Sequence, residues 1–163
     1  MSLTEKVYDY KIRIARESDA DEIYYLVQRA FSSYNAKGKN PVQDEIIDDV
    51  LFDLKHNLVL VIEYRGVIAG SMRLCAMENN CLYLKRFSIH PHYQNLGLGT
   101  SLYYYAEELA REKGSEYIYL YSSLEDERLI SFYNKLGFTC IDIDHKNGYR
   151  RGYWCKKLSG VGA

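Results

Sequence analysis

The sequence predicts an α/β domain with a mixed central sheet of about seven strands flanked by about four helices, in the order β-α-α-β-β-β-α-β-α-β-β. Three observations carry this. Short runs in which apolar and polar residues alternate take turns with stretches in which apolar residues recur every three to four positions. Turn pairs such as Arg65-Gly66 and Asn147-Gly148 punctuate the runs. No repeat, low-complexity tract or linker divides the 163 residues, which read as one domain (1–163) with 1–9 and 159–163 as tails.

Tyr10 to Ala15 alternates Tyr10, Ile12 and Ile14 against Lys11 and Arg13, a half-buried strand. Ser18 then caps a helix with Asp19 and Asp21 in its first turn and Ile23, Leu26, Val27 and Ala30 as its apolar stripe. Ser32 to Pro41 reads as loop. A second helix, Val42 to Leu54, turns Ile46, Ile47, Val50 and Leu51 inward and Asp44, Glu45, Asp48, Asp49 and Asp53 outward. Asn57 to Tyr64 and Val67 to Met77 form a hairpin through Arg65-Gly66.

After the turn Glu78-Asn79-Asn80, the strand Cys81 to Ile89 shifts the parity of its apolar positions, from Leu82 and Leu84 to Phe87 and Ile89. Either both faces are covered, or an extra residue near Lys85-Arg86 makes a β-bulge, which would leave backbone groups open to a ligand. A helix opening at Gly97 places Leu98, Leu102, Ala106 and Leu109 on one face, with Tyr105 in the same stripe, and ends at Lys113-Gly114. Tyr117, Tyr119 and Tyr121 alternate with Ile118, Leu120 and Ser122 in an interior strand, parallel to the Cys81 strand through a right-handed crossover. Glu125-Asp126-Glu127 opens the last helix, which Gly137 closes, and the strands Phe138 to Asp144 and Gly152 to Leu158 follow.

Composition narrows the function. Apolar content of 47% and charged content of 26% are those of a soluble globular protein, and a net charge of -1 argues against nucleic-acid binding. No apolar run is long enough to cross a bilayer, and the amino terminus lacks the apolar core of a signal peptide, so the cytoplasm is the expected location, without a membrane partner. Cys75, Cys81, Cys140 and Cys155 show no CxxC pair and read as reduced core thiols. His90 and His92 flank Pro91 without a neighbouring Cys or carboxylate, and no metal is predicted.

The turn Gln94-Asn95-Leu96-Gly97-Leu98-Gly99-Thr100 is the unusual stretch, because it sets two glycines at a helix start although glycine costs about 1 kcal/mol against alanine inside a helix. Bare peptide N–H groups at the positive end of a helix suit a phosphate or pyrophosphate. A P-loop would need a lysine before Thr100, and a Rossmann fingerprint a glycine where Leu102 stands. What remains is Gln94-x-x-Gly97-x-Gly99 after a strand ending Ile89-His90-Pro91. In this the chain resembles the GNAT family of acyl-CoA-dependent N-acyltransferases. A second run, Phe132-Tyr133-Asn134-Lys135-Leu136-Gly137-Phe138, is similar to the same family, so the resemblance covers about residues 81 to 140. The amino-terminal third matches only in its order of elements.

The resemblance implies the single-domain GNAT fold and an N-acetyltransferase that moves an acetyl group from acetyl-CoA to a primary amine by direct attack in a ternary complex. It implies Tyr133 as the acid that protonates the leaving thiolate, a task suited to a phenol of pKa about 10, which stays protonated at neutral pH. It places Phe87, Ser88 and Ile89 beside the pantetheine, Gln94 to Thr100 (Gln94, Asn95, Leu96, Gly97, Leu98, Gly99 and Thr100) around the pyrophosphate, and Asp126 and Phe132 at the cofactor. Asp126 departs from an asparagine common in the family, and an ionised carboxylate donates no hydrogen bond. No acid stands before Phe87, where Lys85 and Arg86 lie, so the general base is left open among Glu78, Tyr83 and the acceptor region. The acids of the second helix are either a solvated face or a lure for a cationic amine. The acceptor, a small molecule or a protein amine, and the choice between monomer and homodimer stay open. The alternative function is a non-catalytic acyl-CoA-binding sensor or interaction module with the same fold.

Overall fold

The strands β1 (Tyr10–Ile14), β2 (Leu58–Tyr64), β3 (Val67–Met77), β4 (Cys81–Ile89), β5 (Tyr117–Ser123), β6 (Thr139–Asp144) and β7 (Arg151–Lys157) join in one sheet, in the order β1-β2-β3-β4-β5-β7-β6. The helices are α1 (Ala20–Ser32), α2 (Ile47–His56), α3 (Leu98–Glu112) and α4 (Glu127–Lys135). This computed structural model describes residues 9–32 and 41–158; most of the two expected tails and of the loop after Ser32 lies outside them. Among the described residues no helix is long and apolar enough to cross a membrane.

Strand alternation sorts the core into two layers. Val59 and Val61 pack under α1 and α2 with Ile23, Val27 and Val50. Leu60 and Ile62, pointing the other way, pack with Leu98, Leu102 and Ala106 of α3 and Tyr133 of α4. Helices therefore cover both faces, as a mixed sheet of this kind requires.

Two irregularities shape the middle of the sheet. On β3 and β4, Ser71 faces Ser88 and Arg73 faces Lys85, so Met72 alone stands against two residues, Arg86 and Phe87. This is the anticipated bulge, and Arg86 takes a left-handed φ of 53° in it. Beyond it, β4 and β5 run parallel as expected, but only Cys81, Leu82 and Tyr83 find partners, in Tyr117, Ile118 and Tyr119. Past Tyr83 and Tyr119 the strands part.

Several expectations are corrected. A 3-10 turn at Pro41–Asp44 precedes α2, which starts only at Ile47. Glu45 and Asp53 are buried at 5% and 2% exposure, while Ile46 is 55% exposed, because the two carboxylates reach the fully buried Arg73. They are neither a solvated face nor a free lure for an amine. In α3, Tyr103 is buried and Tyr105 is 39% exposed. The buried arc is turned toward Tyr103 and Glu107 because α3 also meets the Phe138 ring and the Lys156 ammonium. Ser18 is not the cap of α1: a 3-10 turn, Glu17–Asp19, precedes it, and the Asp19 carboxylate accepts the Arg16 N–H at 2.8 Å.

Candidate active site

A cavity of about 560 Å³ lies where β4 and β5 part, in the size range of small-molecule sites. Tyr83, Lys85 and Tyr121 line it from the α1/α2 face of the sheet, and Leu84, Leu120 and Tyr133 from the α3/α4 face. The lining thus draws on both sides of one seam. Tyr133 is 7% exposed, held between the rings of Phe132 and Phe138, edge-on at 5.3 and 5.8 Å, with Trp154 at 6.2 Å. Burial pushes the Tyr83 phenol above its ordinary pKa, against the opposing charge of Arg151.

The main chain next to the cavity is shaped by the bulge. His90 donates to the Ala69 carbonyl at 2.8 Å, so alternation turns the Ile89 peptide away from β3. Gln94 folds back and donates through Nε2 to the Ile89 carbonyl at 3.2 Å. Its side chain thus ties the turn to the end of β4. The Ser88 hydroxyl is buried and donates to the Arg86 carbonyl at 3.3 Å.

The opening of α3 is bare. Its cap residue, Gly97, has φ 80° and no side chain to accept a hydrogen bond, and no acid stands in the first turn. Ser101 bonds back to the Gly97 carbonyl at 3.1 Å, which leaves the N–H groups of Leu98, Gly99 and Thr100 without an intrahelical acceptor. A Cβ at Gly97 would meet nothing within 4 Å, and one at Gly99 would lie 3.5 Å from Ile89, 3.6 Å from Phe132 and 3.8 Å from Phe87. Those contacts bring the turn, the end of β4 and α4 to one point, where the Phe87 and Phe132 rings meet edge-on at 5.7 Å. Open N–H groups beside unfilled space fit the diphosphate of a coenzyme A.

The anticipated residues fall into two groups. Phe87, Asp126 and Tyr133 line the cavity itself. Gly97, Gly99 and Phe132 gather beyond it at the start of α3, where Thr100 is exposed, Asn95 is left-handed with φ 65° and Leu96 is 52% exposed. Leu98 turns its side chain into the core. Asp126 caps α4, accepting the Arg128 N–H at 2.9 Å, so its carboxylate serves its own helix. Glu78 sits in the turn after β3, at the end of β4 remote from the bulge, and does not line the cavity. Among the lining residues that carried no signal in the sequence are Tyr121, Tyr149 and Arg151, whose guanidinium stands 3.9 Å over the Tyr121 ring and 2.8 Å from Asp144.

The profile of the acetyltransferase (GNAT) family matches residues 13–138. The chain belongs to that family. This GNAT chain is 23% identical over 130 residues to the beta-lysine N(6)-acetyltransferase of Methanococcus maripaludis, a match covering 79% of this chain and 46% of that protein. The chain thus spans about half the length of that curated relative. Its fold is that of the ribosomal-protein-S18-alanine N-acetyltransferase of Escherichia coli, with a TM-score of 0.77 at 17% identity over 94% of this chain and 96% of that one. The PaiA N-acetyltransferase of Thermoplasma acidophilum, solved in complex with coenzyme A, has a TM-score of 0.74 at 19% identity over 91% and 98%. In the GNAT fold shared with these proteins, this chain supplies the divided β4–β5 seam and the bare α3 opening described above.

Proposed function

We propose that this GNAT chain transfers an acetyl group from acetyl-CoA to a primary amine by direct attack within a ternary complex. The observation that carries the reading is the Tyr133 phenol in the wall of the β4–β5 cavity, with the uncapped start of α3 beyond Phe132. When bound, acetyl-CoA supplies the thioester carbonyl that an amine attacks. The Leu98, Gly99 and Thr100 N–H groups hold the diphosphate, with Gly97 leaving the approach open. Phe87 and Ile89 offer main chain to the pantetheine arm. Tyr133 donates its proton to the departing thiolate, since a phenol of pKa about 10 matches a comparably basic sulfur and stays protonated at neutral pH, and the proton that the amine nitrogen loses on becoming an amide restores the phenol by way of solvent. The amine acceptor reaches the cavity from the Tyr83 and Tyr121 side.

Tyr133→Phe tests this. It removes one oxygen from a buried ring, and kcat falls on the order of 10²-fold while coenzyme A affinity and Tm stay near wild type. Unchanged turnover removes the acid role. Coenzyme A binding without acetyl transfer to any of a panel of amines and peptides makes the chain a non-catalytic acyl-CoA-binding module instead.

A further inference from the structure

Five charged side chains meet on the α1/α2 face of the sheet. Arg73 of β3 is fully buried and grips Glu45 with both guanidinium arms, Nη1 to Oε1 and Nη2 to Oε2, the latter at 3.1 Å. Its Nη1 also donates to Asp53 Oδ2 at 3.0 Å. The same two carboxylates take one more cation each: Arg86 Nε lies 3.2 Å from Glu45 Oε1, and Lys85 Nζ 3.2 Å from Asp53 Oδ2. Burial would raise the Asp53 carboxyl, but the Asn57 amide, the Lys85 ammonium and the Arg73 guanidinium hold it below the usual range.

This network is a poor glue if holding α2 to β3 were its whole purpose. Apolar residues of similar volume do that as well without desolvating charge. Arg73 Nε has no hydrogen-bond partner among the described residues. The network's cations are also oddly placed. Arg86 is one of the two residues that stand opposite Met72 in the β4 bulge, with Lys85 just before it, and Arg86 carries a left-handed φ of 53°, a strained conformation for a residue with a Cβ inside a strand. Were Arg86 to return to extended backbone, the strand would lose its extra residue and each following side chain would turn to the other face. Phe87 and Ile89 are the next to be misplaced.

We propose that Glu45, itself fixed by Arg73, is a positioning residue that clamps Arg86 in its left-handed conformation and thereby holds Phe87 to Ile89 in the shape that accepts coenzyme A. The clamp works from the α1/α2 face of the sheet, through a segment outside the cofactor turn, on an arginine that itself lines the cavity. The inference rests on the functional reading above and adds to it a residue, Glu45, that does not line the cavity.

The test separates backbone shape from side-chain contact. Arg86→Ala and Arg86→Gly both lose the pair with Glu45, but only glycine takes a φ near 53° without strain. Titration calorimetry with coenzyme A gives for Arg86→Ala a Kd weakened about tenfold, and for Arg86→Gly a Kd within about threefold of wild type. Glu45→Gln weakens binding about tenfold as well, and the double variant Glu45→Gln with Arg86→Gly recovers most of it although its Tm stays lowered. Equal weakening in the alanine and glycine variants, or no weakening in either, overturns the clamp. If Glu45→Gln fails to fold, the two Arg86 variants decide alone, since Arg86 is partly exposed. A wild-type protein that does not bind coenzyme A overturns the functional reading and this inference with it, whereas a binding wild type with equal variants sinks the inference only.

Discussion

The starts of α3 and α4 are built on opposite plans. At α4, Asp126 accepts the Arg128 N–H; at α3, Gly97 offers no acceptor and the first turn holds no acid. The other two helices side with α4. Asp19 takes the Arg16 N–H before α1, and Asp49 takes the Ile46 N–H at 3.0 Å before α2. A carboxylate at a helix start satisfies orphan donors and complements the dipole. Among the described helices the chain provides one at three starts and withholds it at the fourth, where the proposed ligand brings its own negative charge.

The largest effect comes from making α3 like the rest. Gly99→Glu sets a carboxylate among the free N–H groups, and coenzyme A affinity measured by calorimetry falls at least about 100-fold, since opposing like charges costs several kcal/mol. Thermal stability holds or rises slightly, and retained affinity would place the diphosphate elsewhere. Gly97→Ala is next. The residue faces empty space but has φ 80°, so the strain of about 1–2 kcal/mol appears as a Tm lower by a few degrees. Asp126→Ala removes the cap of α4 for about 1 kcal/mol in denaturant unfolding, while Asp126→Asn keeps the cap and leaves the midpoint in place. A drop for asparagine equal to that for alanine makes the charge, not the cap, the cause.

The smallest effect is a change of slope with pH. The Arg13 guanidinium, outweighing burial and helped by the Arg16 N–H, holds the Asp19 carboxyl below its ordinary pKa. A depressed carboxyl contributes stability that is present above the unfolded-state value of about 3.9 and is lost as pH falls toward the folded-state value. Urea titrations in that acid window therefore fall less steeply for Asp19→Asn than for wild type. Parallel curves assign the acid limb to other carboxylates.

Local signals were legible and distant ones were not. The parity shift from Leu84 to Phe87 announced the bulge, and the two glycines announced the bare helix start, because each is written within a few residues. Glu45 and Asp53 read as solvent-facing from the acidic pattern around them. What buries them is a guanidinium 28 and 20 positions away on another strand, which no local periodicity reports. The insertion of β7 between β5 and β6 is likewise a choice among non-local pairings. Of the cavity, Phe87, Asp126 and Tyr133 came from recognisable runs, whereas Tyr121, Tyr149 and Arg151 are set there by how β5 and the β6–β7 connection meet β4.

The short join of β4 to β5 makes the sheet two ribbons stitched at the middle by three residue pairs, where each of the other neighbours shares five or seven. A molecule lodged between the ribbons touches both and acts as an extra stitch. Ligand binding then slows amide exchange most along the unstitched edges after Tyr83 and Tyr119, and draws two partly independent halves toward a single unfolding event.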